Sequence, residues 1–244
     1  MLTDVKTPGF LISAPASGSG KTVTTLALLR AYRKHGRAIG SFKVGPDYID
    51  PAFHTAASGR VCLNLDIWGM RSRTVESNLN TVVPDVDLVI GEGVMGLFDG
   101  ASGGGGSTAD VAATFDIPVV LVVDASGQAT SAAALVHGFD TFDSRLKLAG
   151  VIFNRIGGPK HRDILQSAMA SRGTKVFGCI PRHDSLTLPK RHLGLVQAQE
   201  NSTLEGFLDS AAEFVAEHVD LEACLLYTSP SPRDLSTSRM PSSA

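Results

Sequence analysis

The sequence has little cysteine, and it lacks long hydrophobic runs and any excess of one charge. Its three cysteines among 244 residues stand far apart and form no CxxC pair, so we expect neither a disulfide framework nor a structural zinc site. No apolar run approaches the ~20 residues that cross a bilayer. A formal net charge of −2 gives no basic surface for nucleic acid. Because the N-terminus also lacks the pattern of a secretory signal, we expect a cytoplasmic protein with no membrane and no nucleic-acid partner.

What is present is the composition of a globular enzyme, with 43% hydrophobic and 19% charged residues. Short runs rich in Val and Ile alternate with longer amphipathic segments, which predicts a doubly wound, mainly parallel sheet flanked by helices. The predicted strands are 10–12, 38–42, 87–90, 118–123, 148–153 and 175–180, and the predicted helices are 21–34, 72–82, 107–116, 127–139, 160–171 and 203–218.

The C-terminal segment differs from the rest of the chain. From Leu225 onward Ser, Pro and Thr dominate and no periodicity remains. We therefore assign residues 1–222 to the folded domain, and residues 223–244 to a disordered or non-native tail.

The strongest motif runs from Ala14 to Thr22, between a predicted strand and a predicted helix. A turn there directs backbone N–H groups and the positive end of the helix at phosphates, while the lysine reaches the β- and γ-phosphates and the threonine ligates Mg²⁺. The strict P-loop pattern has Gly where this chain has Pro15, and an ordinary Gly/Ser turn is the alternative. The predicted nucleotide-binding residues are Ser17, Gly18, Ser19, Gly20, Lys21 and Thr22.

Polar residues follow three other predicted strands. Asp47 and Glu92 fall where the carboxyl ends of parallel strands meet, and with Thr22 they are suited to hold Mg²⁺. A turn residue and a solvated strand end are the alternative interpretations. Asn154 also follows a strand, where its amide could contact a purine edge or simply form a turn. The glycine run 103–106 is a surface loop or a mobile cover over a substrate.

Several longer motifs resemble the cobyrinate a,c-diamide synthase family, including its hydrogenobyrinate-specific relatives. The similarity covers most of residues 9–200. Beyond the P-loop it is carried by the segments Lys43–Pro51, Asn64–Asp66, Glu92–Gly100, Asp124–Gln128 with Ser131–Ala133, and Leu188–Leu195.

The resemblance implies a P-loop NTPase-like fold similar to that of dethiobiotin synthetase, and an ATP-dependent amidoligase of cobalamin biosynthesis. In that family a carboxylate of the corrin substrate, cobyrinate or hydrogenobyrinate, attacks ATP to give an acyl phosphate, and ammonia then forms the amide at the a and c side chains. The ammonia comes from glutamine through a C-terminal class I glutaminase domain, which this sequence does not contain. Related synthetases often pair, so the resemblance also implies a homodimer.

The resemblance also implies roles for individual residues. Lys21 and Lys43 neutralise charge on the transferring phosphoryl group and on the substrate carboxylate or acyl phosphate. Tyr48 and Asp99 lie on the substrate side, although packing and capping are alternatives for them. Asn154 faces adenine.

By the same resemblance Thr22, Asp47 and Glu92 carry Mg²⁺. Arg191 and His192 belong to a family-specific run, and their role stays open between substrate contact and structure.

Two other functions fit the P-loop. A related ligase of the dethiobiotin synthetase or cobyrate synthase type shares the acyl phosphate chemistry, but the motif Gly45–Pro51 disfavours it. A P-loop switch ATPase is the other alternative. Such ATPases usually carry a second lysine early in the loop, where this chain has Pro15-Ala16-Ser17.

Overall fold

The computed structural model describes residues 7–183, 186 and 202–228. Its strands are β1 (Gly9–Ser13), β2 (Ile39–Val44), β3 (Cys62–Leu65), β4 (Leu88–Glu92), β5 (Val119–Asp124), β6 (Leu148–Ile156) and β7 (Lys175–Pro181). Its helices are α1 (Lys21–Lys34), α2 (Asp50–Ser58), α3 (Ser72–Val82), α4 (Thr108–Phe115), α5 (Ser131–Phe142), α6 (Pro159–Met169), α7 (Ser202–His218) and α8 (Leu221–Thr228).

The seven strands form one sheet in the order β3-β2-β4-β1-β5-β6-β7, and all six neighbouring pairs are parallel. Strand β1 lies at the centre, between β4 and β5. The chain therefore moves outward on one side through β2 and β3 and on the other through β5 to β7. In such sheets ligands bind beyond the carboxyl ends of the strands, at the point where the strand order reverses.

Both faces of the sheet are covered by helices. Phe10 and Ile12 of β1 pack with α1, α2, α7 and α8, whereas the intervening Leu11 packs with α3, α4, α5 and α6. This alternation follows from the period of two in a strand. Because the central strands β1, β4 and β5 are buried on both sides, their sequences are nearly continuous apolar runs.

Three elements were not predicted. Strand β3 has only four residues and includes the polar Asn64, so its pattern is too short to stand out. Helix α2 begins inside a motif dominated by Pro and Asp, with Pro51 in its first turn, where proline fits a helix.

The third is α8, which corrects the predicted domain boundary. The helix continues to Thr228, past residue 222, with Cys224 and Thr228 buried, and it lies against β1, β6 and β7. The Tyr32 hydroxyl donates to the Leu221 carbonyl at 2.8 Å and ties the start of α8 to α1. The segment Leu188–Leu195, with Arg191 and His192, and the remaining tail 229–244 lie outside the described residues. Within the described part of the chain, none of the helices has the length and apolar character to cross a membrane.

Candidate functional site

The loop between β1 and α1 has the backbone of a phosphate cradle. Gly18 and Gly20 adopt left-handed φ angles of 83° and 95°, a region that favours glycine. Among the described residues, the N–H groups of Gly18, Ser19 and Gly20 donate no hydrogen bond. Helix α1 has no side-chain cap. Free N–H groups at a helix N-terminus are suited to an anion, so the loop fits the phosphates of a nucleotide.

The side chains of the predicted P-loop residues take different positions. Ser17 is exposed at the turn, whereas Ser19 is buried and its hydroxyl donates to the Ala16 carbonyl at 2.8 Å. A Cβ at Gly20 would lie 2.1 Å from Nδ2 of Asn154, which leaves no room for a larger residue there. The cradle is therefore closed on its inner side and open at Gly18.

Lys21 reaches across to the loop that follows β4. Its Nζ donates to the Met95 carbonyl at 2.6 Å, and Met95 holds a left-handed φ of 46°. Burial lowers the pKa of Lys21 from its ordinary value, although the nearby Glu92 carboxylate opposes that effect. The side chain thus lies beside the phosphate cradle with its charge only partly compensated.

Glu92 occupies the centre of the site, as the last residue of β4. Its side chain is 1% exposed, and Oε1 accepts a hydrogen bond from the Thr22 hydroxyl at 2.6 Å. Burial alone would raise the pKa of Glu92, but His54 and the charge of Lys43, with the Thr22 hydrogen bond, lower it below the ordinary value. The carboxylate is therefore ionised beside the hydroxyl at the start of α1.

This arrangement fits Mg²⁺. Mg²⁺ usually takes one or two carboxylates, with phosphate oxygens and water completing its shell. Among the described residues no three His, Cys, Asp or Glu side chains form a protein-only metal cluster. The donor set of Glu92 and Thr22 beside the cradle therefore suits a metal bound together with a nucleotide.

His54 is a site residue that the sequence analysis missed. It lies on α2, is completely buried, and its Nε2 is 2.7 Å from Oε2 of Glu92. Burial opposes its charge, but Cys62 and Glu92 outweigh that effect and raise the pKa of His54 to about 10. Asp50, also buried and also missed, begins the same helix, and its charge raises the pKa of Lys21. Asp50, His54 and Ala57 have the spacing of one helical face. This spacing could have indicated a helix that places Asp50 and His54 on the same side.

Lys43 and Asp47 lie close to Glu92, but their side chains contact backbone groups and each other. Lys43 is buried, and its Nζ donates to the Gly93 carbonyl at 3.2 Å and lies 3.8 Å from Oδ2 of Asp47. Oδ1 of Asp47 accepts from the N–H groups of Ile49 at 2.8 Å and Asp50 at 3.0 Å. Despite partial burial, these hydrogen bonds and Lys43 lower the pKa of Asp47.

The described contacts of Asp47 thus hold the start of α2. They bring it to neither Thr22 nor Glu92, and its part in holding Mg²⁺ stays a prediction.

Tyr48 and Asp99 lie at the surface of the site. Tyr48 is 94% exposed, which excludes the packing role considered for it. Asp99 is exposed too, and its Oδ2 accepts from the Gly96 N–H at 3.0 Å, so it does cap a turn. That turn contacts the P-loop strand, because the Leu97 N–H donates to the Ala14 carbonyl at 2.9 Å.

The glycine run after this turn forms a compact surface loop. The Ala101 N–H donates to the Gly105 carbonyl at 3.0 Å, and Gly104, Gly105 and Gly106 all have left-handed φ. The loop ends where Ser107 and Asp110 form a capping box that begins α4.

Asn154 lies against the P-loop. Its Nδ2 donates to the Ser19 carbonyl at 2.9 Å, and its Oδ1 accepts from the Arg155 N–H at 2.9 Å. Both the nitrogen and the oxygen of the amide are therefore hydrogen-bonded to backbone groups, and the side chain holds the cradle in place from the end of β6. Its contact with adenine stays a prediction.

The sequence profile of the CobQ/CobB/MinD/ParA nucleotide binding domain, CbiA, matches residues 10–196. The chain belongs to this family. The domain explains the parallel sheet with a phosphate cradle at its centre, and the predicted fold class is confirmed. A chloroplast FtsY from Physcomitrella patens has a similar fold, with a TM-score of 0.51 at 14% identity over 86% of this chain and 67% of that one.

Several curated relatives of this chain are named hydrogenobyrinate a,c-diamide synthase. The chain is 50% identical over 216 residues to a hydrogenobyrinate a,c-diamide synthase of Brucella ovis, covering 88% of this chain and 50% of the relative. The synthases of Rhizobium meliloti and Rhodobacter capsulatus are each 49% identical, over 91% and 92% of this chain and 52% of their own. The resemblance stated from the motifs is confirmed, and the chain spans about half the length of these relatives.

Proposed function

We propose that this chain carries the ATP-dependent amidation step of a hydrogenobyrinate or cobyrinate a,c-diamide synthase. The observation that carries the proposal is the buried Glu92 carboxylate hydrogen-bonded to Thr22 at the mouth of a phosphate cradle. A carboxylate in that position suits phosphoryl transfer, which needs positioning and charge neutralisation more than covalent help from the protein. The names of the relatives supply the substrate class, a corrin with peripheral carboxylates.

In this mechanism the chain binds ATP through the N–H groups of residues 18–20 and the amine of Lys21. Thr22 and Glu92 would hold Mg²⁺, and Asp47 would join them. When bound, the metal withdraws charge from the phosphate oxygens. Lys21 then stabilises the charge that develops on the γ-phosphoryl group as a substrate carboxylate oxygen attacks phosphorus and ADP leaves.

The second step replaces phosphate by nitrogen. Ammonia attacks the carbonyl carbon of the acyl phosphate, the C–O bond to phosphate breaks, and a carboxamide remains after loss of a proton. Lys43 would neutralise the substrate carboxylate or the acyl phosphate, and Tyr48 and Asp99 would contact the corrin from the exposed rim. The loop of residues 101–106 would limit the entry of water, which would otherwise hydrolyse the intermediate.

The source of nitrogen is proposed to be glutamine, through a glutaminase domain corresponding to the other half of the relatives. Free ammonia would replace it for this chain. We also propose that Asn154 contacts adenine. Two copies of the chain would pair, and the protein would be located in the cytoplasm.

The experiment measures ADP release by the full chain with Mg-ATP and ammonia, with and without hydrogenobyrinate, together with mass analysis of the corrin. We expect corrin-dependent ADP release and products with one and then two carboxamides, and no turnover by Lys21→Ala. Cobyrinate in a parallel reaction distinguishes the cobalt-containing substrate from the metal-free one. Equal ADP release with and without either corrin, and an unchanged corrin mass, would contradict the proposal.

A further inference from the structure

Strand β6 is irregular where it passes the P-loop. Its register with β7 shifts between Asn154 and Ile156, and Arg155 between them adopts a left-handed φ of 57°. Such a conformation is unfavourable for an arginine, because it brings Cβ close to the following carbonyl oxygen. Bulges of this kind re-aim a side chain and are common beside active sites. The irregularity turns the guanidinium of Arg155 away from the strand and onto the phosphate cradle.

The guanidinium then joins two separate segments. Nη1 of Arg155 donates to the Gly18 carbonyl at 2.8 Å and to Oδ2 of Asp124 at 2.5 Å. Asp124 is the last residue of β5, and its Oδ1 also accepts from the Ser126 N–H at 2.9 Å, so it is fixed by its own turn. Partial burial would raise the pKa of Asp124, but Ser126 and Arg155 lower it, which keeps the carboxylate ionised.

We propose that Asp124 and Arg155 form a latch that positions the P-loop for phosphate, with Arg155 a positioning residue rather than a phosphate ligand. The proposal rests on the proposed binding of ATP at this loop. By accepting from Arg155, the Gly18 carbonyl is turned toward the β5–β6 side of the sheet. A carbonyl oxygen that rotated outward would repel a phosphate and would misalign the neighbouring N–H groups.

Asn154 supports the same function from the adjacent position. Its amide donates to the Ser19 carbonyl and accepts from the Arg155 N–H. Two consecutive carbonyls of the cradle, Gly18 and Ser19, are thus held by two consecutive residues at the end of β6. The N–H groups that follow remain free for an anion, and the left-handed backbone at Arg155 is what makes the paired contact possible.

A simpler role for Arg155 would be a positive charge that contacts phosphate directly. The two roles predict opposite effects for Asp124→Asn. Loss of the carboxylate would free a charged guanidinium to approach phosphate and would tighten binding if Arg155 were a ligand. If Arg155 is part of a latch, the same change loosens the Gly18 carbonyl and weakens binding.

The test measures the Kd for ATP by calorimetry, in EDTA and again with Mg²⁺, for the full chain and its variants. We expect Arg155→Met and Arg155→Lys to raise the Kd about tenfold, the size of one lost charge-assisted hydrogen bond. Asp124→Asn should raise it severalfold, and the double variant Asp124→Asn with Arg155→Met should bind no more weakly than Arg155→Met alone. Arg162→Met is the matched control, because Arg162 is an exposed arginine whose guanidinium pairs with Asp163 and not with the cradle residues.

The readouts separate the possible failures. If each variant has an unfolding temperature close to that of Arg162→Met, the changes in Kd do not come from unfolding of the chain. Asp124→Asn binding ATP as tightly as the unchanged chain, or additive effects in the double variant, would overturn the latch while leaving nucleotide binding intact. Absence of ATP binding by the unchanged chain would instead contradict the proposed function itself, and the latch with it.

Discussion

Nε2 of His54 lies 2.7 Å from Oε2 of Glu92, and the two side chains are 0% and 1% exposed. The pair joins α2 to the end of β4. A shift of α2 would therefore move the Glu92 carboxylate beside the P-loop. Removing one partner of such a pair leaves an uncompensated buried charge, which is far more costly than the pair's net contribution. His54 therefore sets the position of Glu92 and constrains what can replace it.

We expect His54→Leu to lower the free energy of unfolding by about 3–5 kcal/mol, because Glu92 keeps its buried charge and loses its partner. His54→Gln, which retains an N–H donor, should lose less. Urea unfolding measures both changes, with His137→Leu as the control at an exposed histidine. The double variant His54→Leu with Glu92→Gln should be more stable than the sum of the single changes predicts, and strict additivity would contradict the coupling.

The same pair predicts how stability depends on pH in EDTA. The pKa of His54 is raised in the folded chain to about 10, so its contribution is complete below the unfolded pKa of about 6.5 and is lost as pH rises toward 10. The pKa of Glu92 is lowered, so its contribution is complete above the unfolded value and is lost as pH falls through the folded value. The stability difference between the unchanged chain and His54→Leu should therefore shrink steadily from pH 6.5 to pH 10. A difference that stays constant over that interval would refute the charged state of the pair.

Much of this architecture could be predicted from the sequence, because long periodic segments carry their own signal. Helices α1 and α3 begin and end at the predicted residues, and the apolar strands of the centre lie within two or three residues of their predicted bounds. The P-loop and Glu92 could be singled out for a similar reason, since each stands at the carboxyl end of a strand in a parallel sheet.

The remaining parts depend on tertiary contacts. In the sequence His54 is one of seven dispersed histidines, and only the position of α2 in the fold brings it to Glu92. Asn154 was expected just after a strand, whereas Arg155 was not singled out, because the left-handed backbone that directs Arg155 to Gly18 follows from packing rather than local pattern. Helix α8 was hidden because its sequence runs into a segment rich in Ser and Pro.

Replacing Glu92 by Gln should separate catalysis from ATP binding. The amide preserves the shape and can still accept from the Thr22 hydroxyl, but it removes the negative charge that would hold Mg²⁺ and that pairs with His54, so the assays are run where thermal unfolding shows the variant to be folded. We expect kcat for ADP release to fall about 100-fold, while the Kd for ATP in EDTA changes no more than about threefold. Glu76→Gln, at an exposed position on α3, is the control. Normal turnover by Glu92→Gln would show that the metal assignment is wrong.

Asp99 offers a test of the substrate side, because its structural and charge roles can be separated. Its Oδ2 accepts from the Gly96 N–H, and the amide oxygen of Asp99→Asn can replace that contact while removing the charge. Asp99→Ala loses both, and the turn it caps packs against the P-loop: a Cβ at Gly96 would lie 2.7 Å from the Pro15 carbonyl oxygen. We therefore expect Asp99→Ala to lose about 1 kcal/mol of stability and Asp99→Asn to retain it.

In turnover the two variants should share one defect. Both should lower kcat/KM for the corrin about tenfold or more, while the Kd for ATP changes little in Asp99→Asn. Steady-state assays at varied corrin concentration measure this, with Asp163→Asn as an exposed control on α6. If Asp99→Asn left both the corrin KM and kcat unchanged while Asp99→Ala lost stability, Asp99 would be only the cap of its turn. A defect shared by both variants requires the carboxylate charge itself, because the hydrogen bond to Gly96 survives in only one of them.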